Sequence, residues 1–380
     1  MAPNLIGASA LFLDEATRSG ESPIKQQHQV VRPKRTPQGP QYSWNIVWRN
    51  VLGMLYMHIF SFYGLYLLFC VCKWKTFFWS LFLTIFGAQG VTAGAHRLWA
   101  HRCYKAKLPL RILLAFAQTI AFQNDLYEWV RDHRVHHKFT DTDADPHNAQ
   151  RGFFFSHVGW LLVRKHKDIM TKGKTVDMSD MLADPVVRFQ KKYYLLLTPI
   201  CCLLVPMLVP CYYWNEKLYI SWYVTTILRY TLSLNGTWLV NSAAHIFGTK
   251  PYDKNIGPTE NKFVAAIAFG EGWHNYHHIF PWDYKASELG YKLNVTTSII
   301  DFFAWMGWAY DLKTVSRDMI ERRSKRTGDG TRSPTQSEEL LEDDQRREGH
   351  GIAGGIWGWG DGDMTAEDLN AAEVHNRQLL

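Results

Sequence analysis

Four long apolar stretches limit what this chain can become. They lie between Arg49 and Lys73, from Thr76 to Ala95, from Tyr193 to Trp214, and from Leu218 to Val240. Each is long enough for a helix to cross a bilayer, which takes about 20 residues. In lipid every backbone polar group must be satisfied within its element, so the expected solution is helical. Lys73-Trp74-Lys75 joins the first two stretches and Asn215-Glu216-Lys217 joins the last two. Such short links predict two antiparallel hairpins, with spans at about 50–72, 76–95, 193–214 and 218–240. The third stretch carries Pro199, Pro206 and Pro210, which membrane helices tolerate better than soluble ones. Arg229 sits near the middle of the fourth, where a charge is costly and is expected to face protein. The fold class expected is all-α integral membrane, with four transmembrane helices in two hairpins and a helical cap on one side.

Two hairpins leave the N-terminus, residues 96–192 and residues 241–380 on that same side. Basic residues crowd there, among them Arg134, Lys138, Arg151, Arg164, Lys165, Lys167, Lys191 and Lys192. The excess of Lys and Arg makes that side cytosolic, with both termini facing the cytosol. The net charge of +7 is modest, and the basic residues flank membrane segments instead of forming one stripe, so nucleic-acid binding is not expected. Six cysteines include no C-x-x-C pair, which argues against a disulfide framework or a thiolate zinc site. Leu108–Gln123 and Thr297–Trp308 are short, interrupted apolar segments and read as amphipathic helices on the membrane or in the cap. Residues 1–44 are polar, rich in Pro and Gln, lack a signal-peptide core, and read as a disordered cytosolic tail. Residues 321–380 read as a second, mostly disordered cytosolic tail, apart from the island Trp357-Gly358-Trp359-Gly360-Asp361.

Nine of the 16 histidines fall in four motifs on the cap side. His133-Arg134-Val135-His136-His137 and His274-Asn275-Tyr276-His277-His278 share the pattern H-x-x-H-H. Helical positions i, i+3 and i+4 lie on one face, so the three rings of each motif can point into one pocket. The adjacent pair His136 and His137 diverges enough to reach two neighbouring ions. Asn241 and His245 have the same i, i+4 alignment. His96 and His101 are five apart, roughly 140° around an ideal α-helix, so a break between them is expected. Neutral histidine is the commonest metal ligand. Nine imidazoles are too many for one ion and suit two, with four to five ligands each. Soluble di-iron bundles use a Glu-x-x-His pair on each of two helices. Only Glu271 and His274 have that spacing, so Glu271 is read as a partner to a ligand and not as a ligand. His147, His157 and His166 lie outside the spacing and are read as hydrogen-bonding or substrate-contact residues.

The order H-x-x-x-x-H, H-x-x-H-H, N-x-x-x-H, H-x-x-H-H across four spans resembles the membrane acyl-CoA desaturases. The strings TAGAHRLWAHRCYKA, RDHRVHHKFTDTDADPHN, RGFFFSHVGWLL, TWLVNSAAH and GEGWHNYHHIFPWDY are similar to the Δ9, stearoyl-CoA-type branch, in particular its insect members. The resemblance covers about residues 45–325 and implies a fatty acid desaturase domain over residues 45–320, in the endoplasmic reticulum membrane. It implies a cis double bond introduced at Δ9 of a saturated fatty acyl-CoA, with O2 and with electrons from cytochrome b5 and its NADH-dependent reductase. Affinity order does not choose iron over zinc. The chemistry does, because taking two hydrogens from an unactivated alkyl chain needs a redox cofactor. The implied cofactors are two iron ions (Fe2+), held by His96, His101, His133, His136, His137, His245, His274, His277 and His278, with Asn241 contacting one of them.

The resemblance also implies a substrate path. An acyl-CoA headgroup is a phosphorylated anion, which Arg and Lys bind. Arg131, Arg164 and Lys165 match positions near the CoA phosphates, and Gln123, Asn124 and Asp132 match polar contacts to the rest of the headgroup. Arg49 and Asn50 lie at the foot of the first span. Trp160, Thr237 and Trp238 match residues lining a narrow, kinked acyl tunnel. By itself, Arg164-Lys165-His166-Lys167 reads only as a membrane-surface patch. Thr84 stands where many members of the resembled family carry a bulky aromatic at the tunnel floor, which predicts an altered chain-length preference. Two other readings stay open: a different reaction position such as Δ11 or a hydroxylation on the same metal plan, and a non-enzymatic metal-binding membrane protein.

Overall fold

The computed structural model describes residues 45–288, 293–332 and 355–376. The tail expected over residues 1–44 lies outside them. Three helices are long and apolar enough to cross a membrane among the described residues: Trp48–Cys70, Trp74–Ala100 and Pro185–Trp214. The fourth expected span is also a continuous helix over residues 218–241, but it is not among those three. Its Thr225, Thr226 and Arg229 are buried against its neighbours. The first helix has the opposite character, with Phe62 and Phe69 74% and 79% exposed. So much apolar surface facing outward suits lipid and would be a liability in water.

The helices stay satisfied where their own backbone ladder fails. Pro210 has no N–H to give the carbonyl of Pro206, four residues earlier. That oxygen instead accepts from Trp79 Nε1 at 3.1 Å and Thr225 Oγ1 at 2.8 Å. Pro206 likewise cannot serve the Cys202 carbonyl, which takes Arg229 Nη2 at 3.1 Å, while Arg229 Nε donates to the Thr225 carbonyl at 2.7 Å. The buried cation is thus solvated by carbonyls. The two tight turns are clasped together through Glu216. Its Oε2 accepts from the Lys73 backbone N–H at 3.1 Å and from Thr76 Oγ1 at 2.5 Å.

The segments outside the long helices fold into the cap. Leu108–Ala121 and Val295–Trp305 are the two shorter apolar helices. Asp125 caps the helix Leu126–Lys138 by accepting from the Glu128 N–H at 3.0 Å, a typical N-cap contact. Leu126, Val130 and Val135 on that helix are buried with Trp99, Leu110, Leu114, Met181 and Ile300. Two small antiparallel sheets complete it: Lys105–Ala106 (β1) with Ala309–Tyr310 (β2), and Leu312–Val315 (β3) with Ala372–His375 (β4).

Two expectations need correcting. The C-terminal region was expected to be mostly disordered from residue 321, yet Arg317–Thr327 is a helix and residues 355–376 pack onto the cap. The physical reason is that Trp357 is 2% exposed and β4 finds a partner strand, so this polar segment has apolar burial and backbone bonds of its own. The expected break between His96 and His101 comes only at the end of the helix, after Ala100, and does not separate the two residues. The second long helix winds as a π-helix over Gly90–Ala100, and the His101 N–H donates to the His96 carbonyl at 3.1 Å. An i→i+5 bond puts residues five apart one above the other.

Candidate metal centre

Four local structures bring the nine imidazoles together. The π-turn brings His96 and His101 together edge to face, with ring centroids 4.7 Å apart and planes at 81°. The capped helix Leu126–Lys138 presents His133, His136 and His137. At Ser242 the fourth long helix kinks into the short helix Ala243–Ile246, which carries His245. The helix His274–Ile279 supplies His274, His277 and His278. The rings sort into two groups: His96, His101, His133, His137 and His277 in one, and His136, His245, His274 and His278 in the other. The adjacent residues His136 and His137 therefore serve different groups.

The donor atoms face one another. His96 Nε2 meets His277 Nε2 at 2.9 Å, His101 Nε2 meets His133 Nε2 at 2.9 Å, and His277 Nε2 meets His137 Nε2 at 3.1 Å. In the second group His274 Nε2 lies 3.0 Å from His245 Nε2 and 3.1 Å from His278 Nε2. One ring nitrogen facing two others cannot donate to both. Several of these protons are also placed on the far side of the ring. His101 Nδ1 contacts the Trp357 carbonyl, His96 Nδ1 lies 3.0 Å from Glu271 Oε2, and His136 Nδ1 lies 2.9 Å from Asp145 Oδ1. Each of those partners is an acceptor, so Nδ1 carries the hydrogen and Nε2 is left with a lone pair. Lone pairs aimed at a common point suit a cation. Two nitrogens each roughly 2.1 Å from a metal and at right angles are about 3.0 Å apart. The donor set fits two metal ions.

Electrostatics keep the rings in the ligating state. Burial first, and then the neighbouring imidazoles, hold the pKa values of His101, His133, His137, His274, His277 and His278 well below the usual histidine range. Burial alone would raise the Glu271 carboxyl, but Arg97 and His96 overcome it and bring it to about 2. Arg97 is fully buried and grips Glu271 Oε1 at 2.7 Å. Asp145 is held well below the carboxylate range in the same way, burial being outweighed by His136 and His147.

Beside the two groups lies a cavity of about 280 Å³, lined by both of them and by Thr84, Trp129, Thr237, Asn241 and Glu271. Thr237 accepts from Gln123 Nε2 at 2.9 Å. Trp238, next on the helix, is not among the residues lining this cavity. It packs between His58 and His157, with ring centroids at 6.3 and 5.8 Å. Trp160 sits against His147 at 5.4 Å. Of the three residues expected along the tunnel, Thr237 alone lines this cavity.

Of the expected headgroup residues, Arg131, Asp132 and Lys165 form a cluster with Glu128. Arg131 Nη2 pairs with Asp132 Oδ1 at 2.9 Å, and Lys165 reaches both Asp132 and Glu128. The Arg164 backbone N–H donates to the Asn45 carbonyl at 2.9 Å, and its side chain is exposed, as is that of Arg49. Asn50 donates to the Leu161 carbonyl at 2.7 Å, and the Asn124 carbonyl accepts from Gln118 at 2.8 Å. Those last two contacts are ties within the protein.

Sequence reasoning missed Asp141, whose Oδ1 lies 3.6 Å from His245 Nδ1, and Asp145, Trp129 and Trp357. The alternating Asp141, Asp143 and Asp145 directly after the histidine helix is a signal for the first two. Trp129, stacked on His133 with centroids at 4.9 Å, is one turn before it on the same helix face. His147 approaches the His136 ring at 4.4 Å, and burial chiefly brings its pKa down to about 3.

Comparison with known proteins agrees with this geometry. The family model described as "Fatty acid desaturase" matches residues 72–284. An acyl-CoA Delta-9 desaturase of Acheta domesticus is 53% identical over 100% of this chain and 99% of its own length. An acyl-CoA Delta(11) desaturase of Spodoptera littoralis is 58% identical over 78% of this chain and 87% of its own. Stearoyl-CoA desaturase 5 of Homo sapiens is 58% identical over 76% and 87%. With nine inward-facing imidazoles in two groups and similarity along its whole length, the chain belongs to the fatty acid desaturase family.

Proposed function

We propose that this protein is an acyl-CoA Δ9 desaturase that places a cis double bond in a saturated fatty acyl-CoA. The observation that carries the reading is a cavity reaching from Thr84 to both histidine groups, in a chain alike over its full length to an acyl-CoA Delta-9 desaturase. Two iron ions, one in each group, supply the O2 activation that no side chain can. O2 takes four electrons on its way to two waters. Two come with the substrate hydrogens and two from cytochrome b5, reduced through its NADH-dependent reductase.

The chain's own residues hold and orient. Glu271, Asp145 and the Trp357 carbonyl keep the Nδ1 hydrogens of His96, His136 and His101 on the outer side of the rings. Gln123 holds the Thr237 hydroxyl on the wall of the cavity that receives the acyl chain. Small errors of position there are expensive in rate. Arg131 and Lys165, preset by Asp132 and Glu128, receive the CoA phosphates, with Arg164, Arg49, Asn50 and Asn124 around them. Trp160 and Trp238 back the wall, and Thr84 sets the depth of the floor. Four spans in two hairpins, including residues 218–241, put the cap and both termini on the cytosolic side of the endoplasmic reticulum. What supports this is the clasp between the two turns through Glu216 and the basic residues of the cap.

A desaturase-deficient yeast expressing the chain should regain Δ9 monounsaturated fatty acids, located by derivatisation and mass spectrometry. No new unsaturated product would overturn the proposal. A second reading, Δ11 chemistry on the same centre, has support in the Spodoptera littoralis relative at 58% identity. The same assay separates the two.

A further inference from the structure

The Trp-Gly-Trp-Gly-Asp island lies outside the stretch that matches the family model, yet it touches the first histidine group directly. The geometry points to residues 355–376 as a strap that positions His101 and thereby sets how firmly the five-histidine group holds its ion. This rests on the reading of the cluster as a two-metal centre. His101 needs such help. It ends the π-helix, and Arg102 after it has φ of 54°, so no regular element fixes the ring direction. In the same group, Nδ1 of His137 and of His277 has no hydrogen-bond partner among the described residues.

The strap grips His101 from two sides. The Trp357 carbonyl accepts from the ring Nδ1, and the Trp359 N–H donates to the His101 carbonyl at 2.9 Å. Between them Gly358 has φ of +152°, and a Cβ there would come 2.5 Å from the His101 oxygen and 2.6 Å from its Cα. Only glycine permits this approach. The indole of Trp357 is held under the guanidiniums of Arg134 and Arg102, 4.2 and 4.8 Å from its ring centroid. Asp361 pegs the turn. One oxygen accepts from the Trp357 N–H at 2.8 Å, and the other accepts from Lys138 at 2.8 Å, beside His137. Downstream, β4 closes the strap onto β3, with Leu312 opposite His375 and Val315 opposite Ala372. The segment therefore fastens the ends of two of the three elements that supply the first group, the π-helix at His101 and the helix Leu126–Lys138 at Lys138, and Trp357 acts as a positioning residue through its main chain.

The test uses full-length purified protein, iron supplied during expression, with metal per chain measured by mass spectrometry and release followed on adding a chelator. The wild type holds two ions. Gly358→Val should lose one ion or release it at least about tenfold faster, as for other partners that orient a ligand, while the second ion stays. Asp361→Ala should act in the same direction without adding bulk, and decides the matter if Gly358→Val does not fold. Gly362→Val, in open space on the same segment, should keep both ions. The strap's role is overturned if folded Gly358→Val and Asp361→Ala release both ions at the wild-type rate, or if both lose the two ions together. A wild-type protein without metal would overturn the metal-centre reading itself, and the strap's role with it.

Discussion

His96 Nδ1 and Glu271 Oε2 stand 3.0 Å apart, and Arg97, the next residue in the chain, holds the other oxygen of the same carboxylate at 2.7 Å. One buried carboxylate thus orients a ring of the first histidine group and neutralises the cation beside it. Glu271→Gln should lower metal affinity of that group by about 10–100-fold. It should also destabilise the cap by roughly 3–5 kcal/mol, because Arg97 would be left without its counter-charge. Chelator release and thermal inactivation check the two effects.

Asp145→Asn tests the other group. Asp145 serves His136, so the affected ion should be the one held by His136, His245, His274 and His278, with a loss of similar size. Combining the two substitutions should release both ions, and chelator traces of the single and double variants show whether the losses are independent.

How much of this was legible beforehand depends on the kind of contact. The histidine motifs were readable because i, i+3 and i+4 positions meet whenever a helix forms. Glu271 was legible only as a spacing, since what makes it act on His96 is Arg97 buried beside it. The pairing of His96 with His101 was read as a break, because α-helical angles were assumed and the chain uses a π-turn. The part played by Trp357 could not be read at all. A backbone carbonyl has no residue identity, and its partner is 256 residues away. For Trp238 nothing in the sequence points to its neighbours, because the two rings it packs against, His58 and His157, lie on separate segments.

Thr84 lines the cavity, at a position where the resembled family often carries a bulky aromatic. Thr84→Tyr should shift turnover towards shorter chains when acyl-CoAs from C14 to C22 are compared. An unchanged profile would remove Thr84 from the specificity argument.

Lys165 is tied to Asp132 and Glu128 at the expected phosphate position. Lys165→Ala should raise KM for acyl-CoA about tenfold and leave kcat within about twofold, the pattern of a contact kept equally in ground and transition states. A fall in kcat alone would place Lys165 elsewhere in the account.

Glu260 provides a pH prediction at the helix His274–Ile279. Burial pushes its carboxyl up to about 8 from an ordinary 4.5, against the pull of the Tyr276 N–H that it accepts at 2.8 Å. A raised acid is protonated in the folded state over a range where the unfolded chain has lost the proton. Stability is therefore full below about 4.5 and falls as pH rises towards about 8. Glu260→Gln should flatten that fall, measured as thermal inactivation across the same range. Equal slopes in wild type and variant would contradict it.

The most direct measurement is anomalous scattering at the iron edge from crystals of the purified protein. Two peaks are expected, one among His96, His101, His133, His137 and His277 and one among His136, His245, His274 and His278. A single peak, or a signal at the zinc edge with none at the iron edge, would contradict the account.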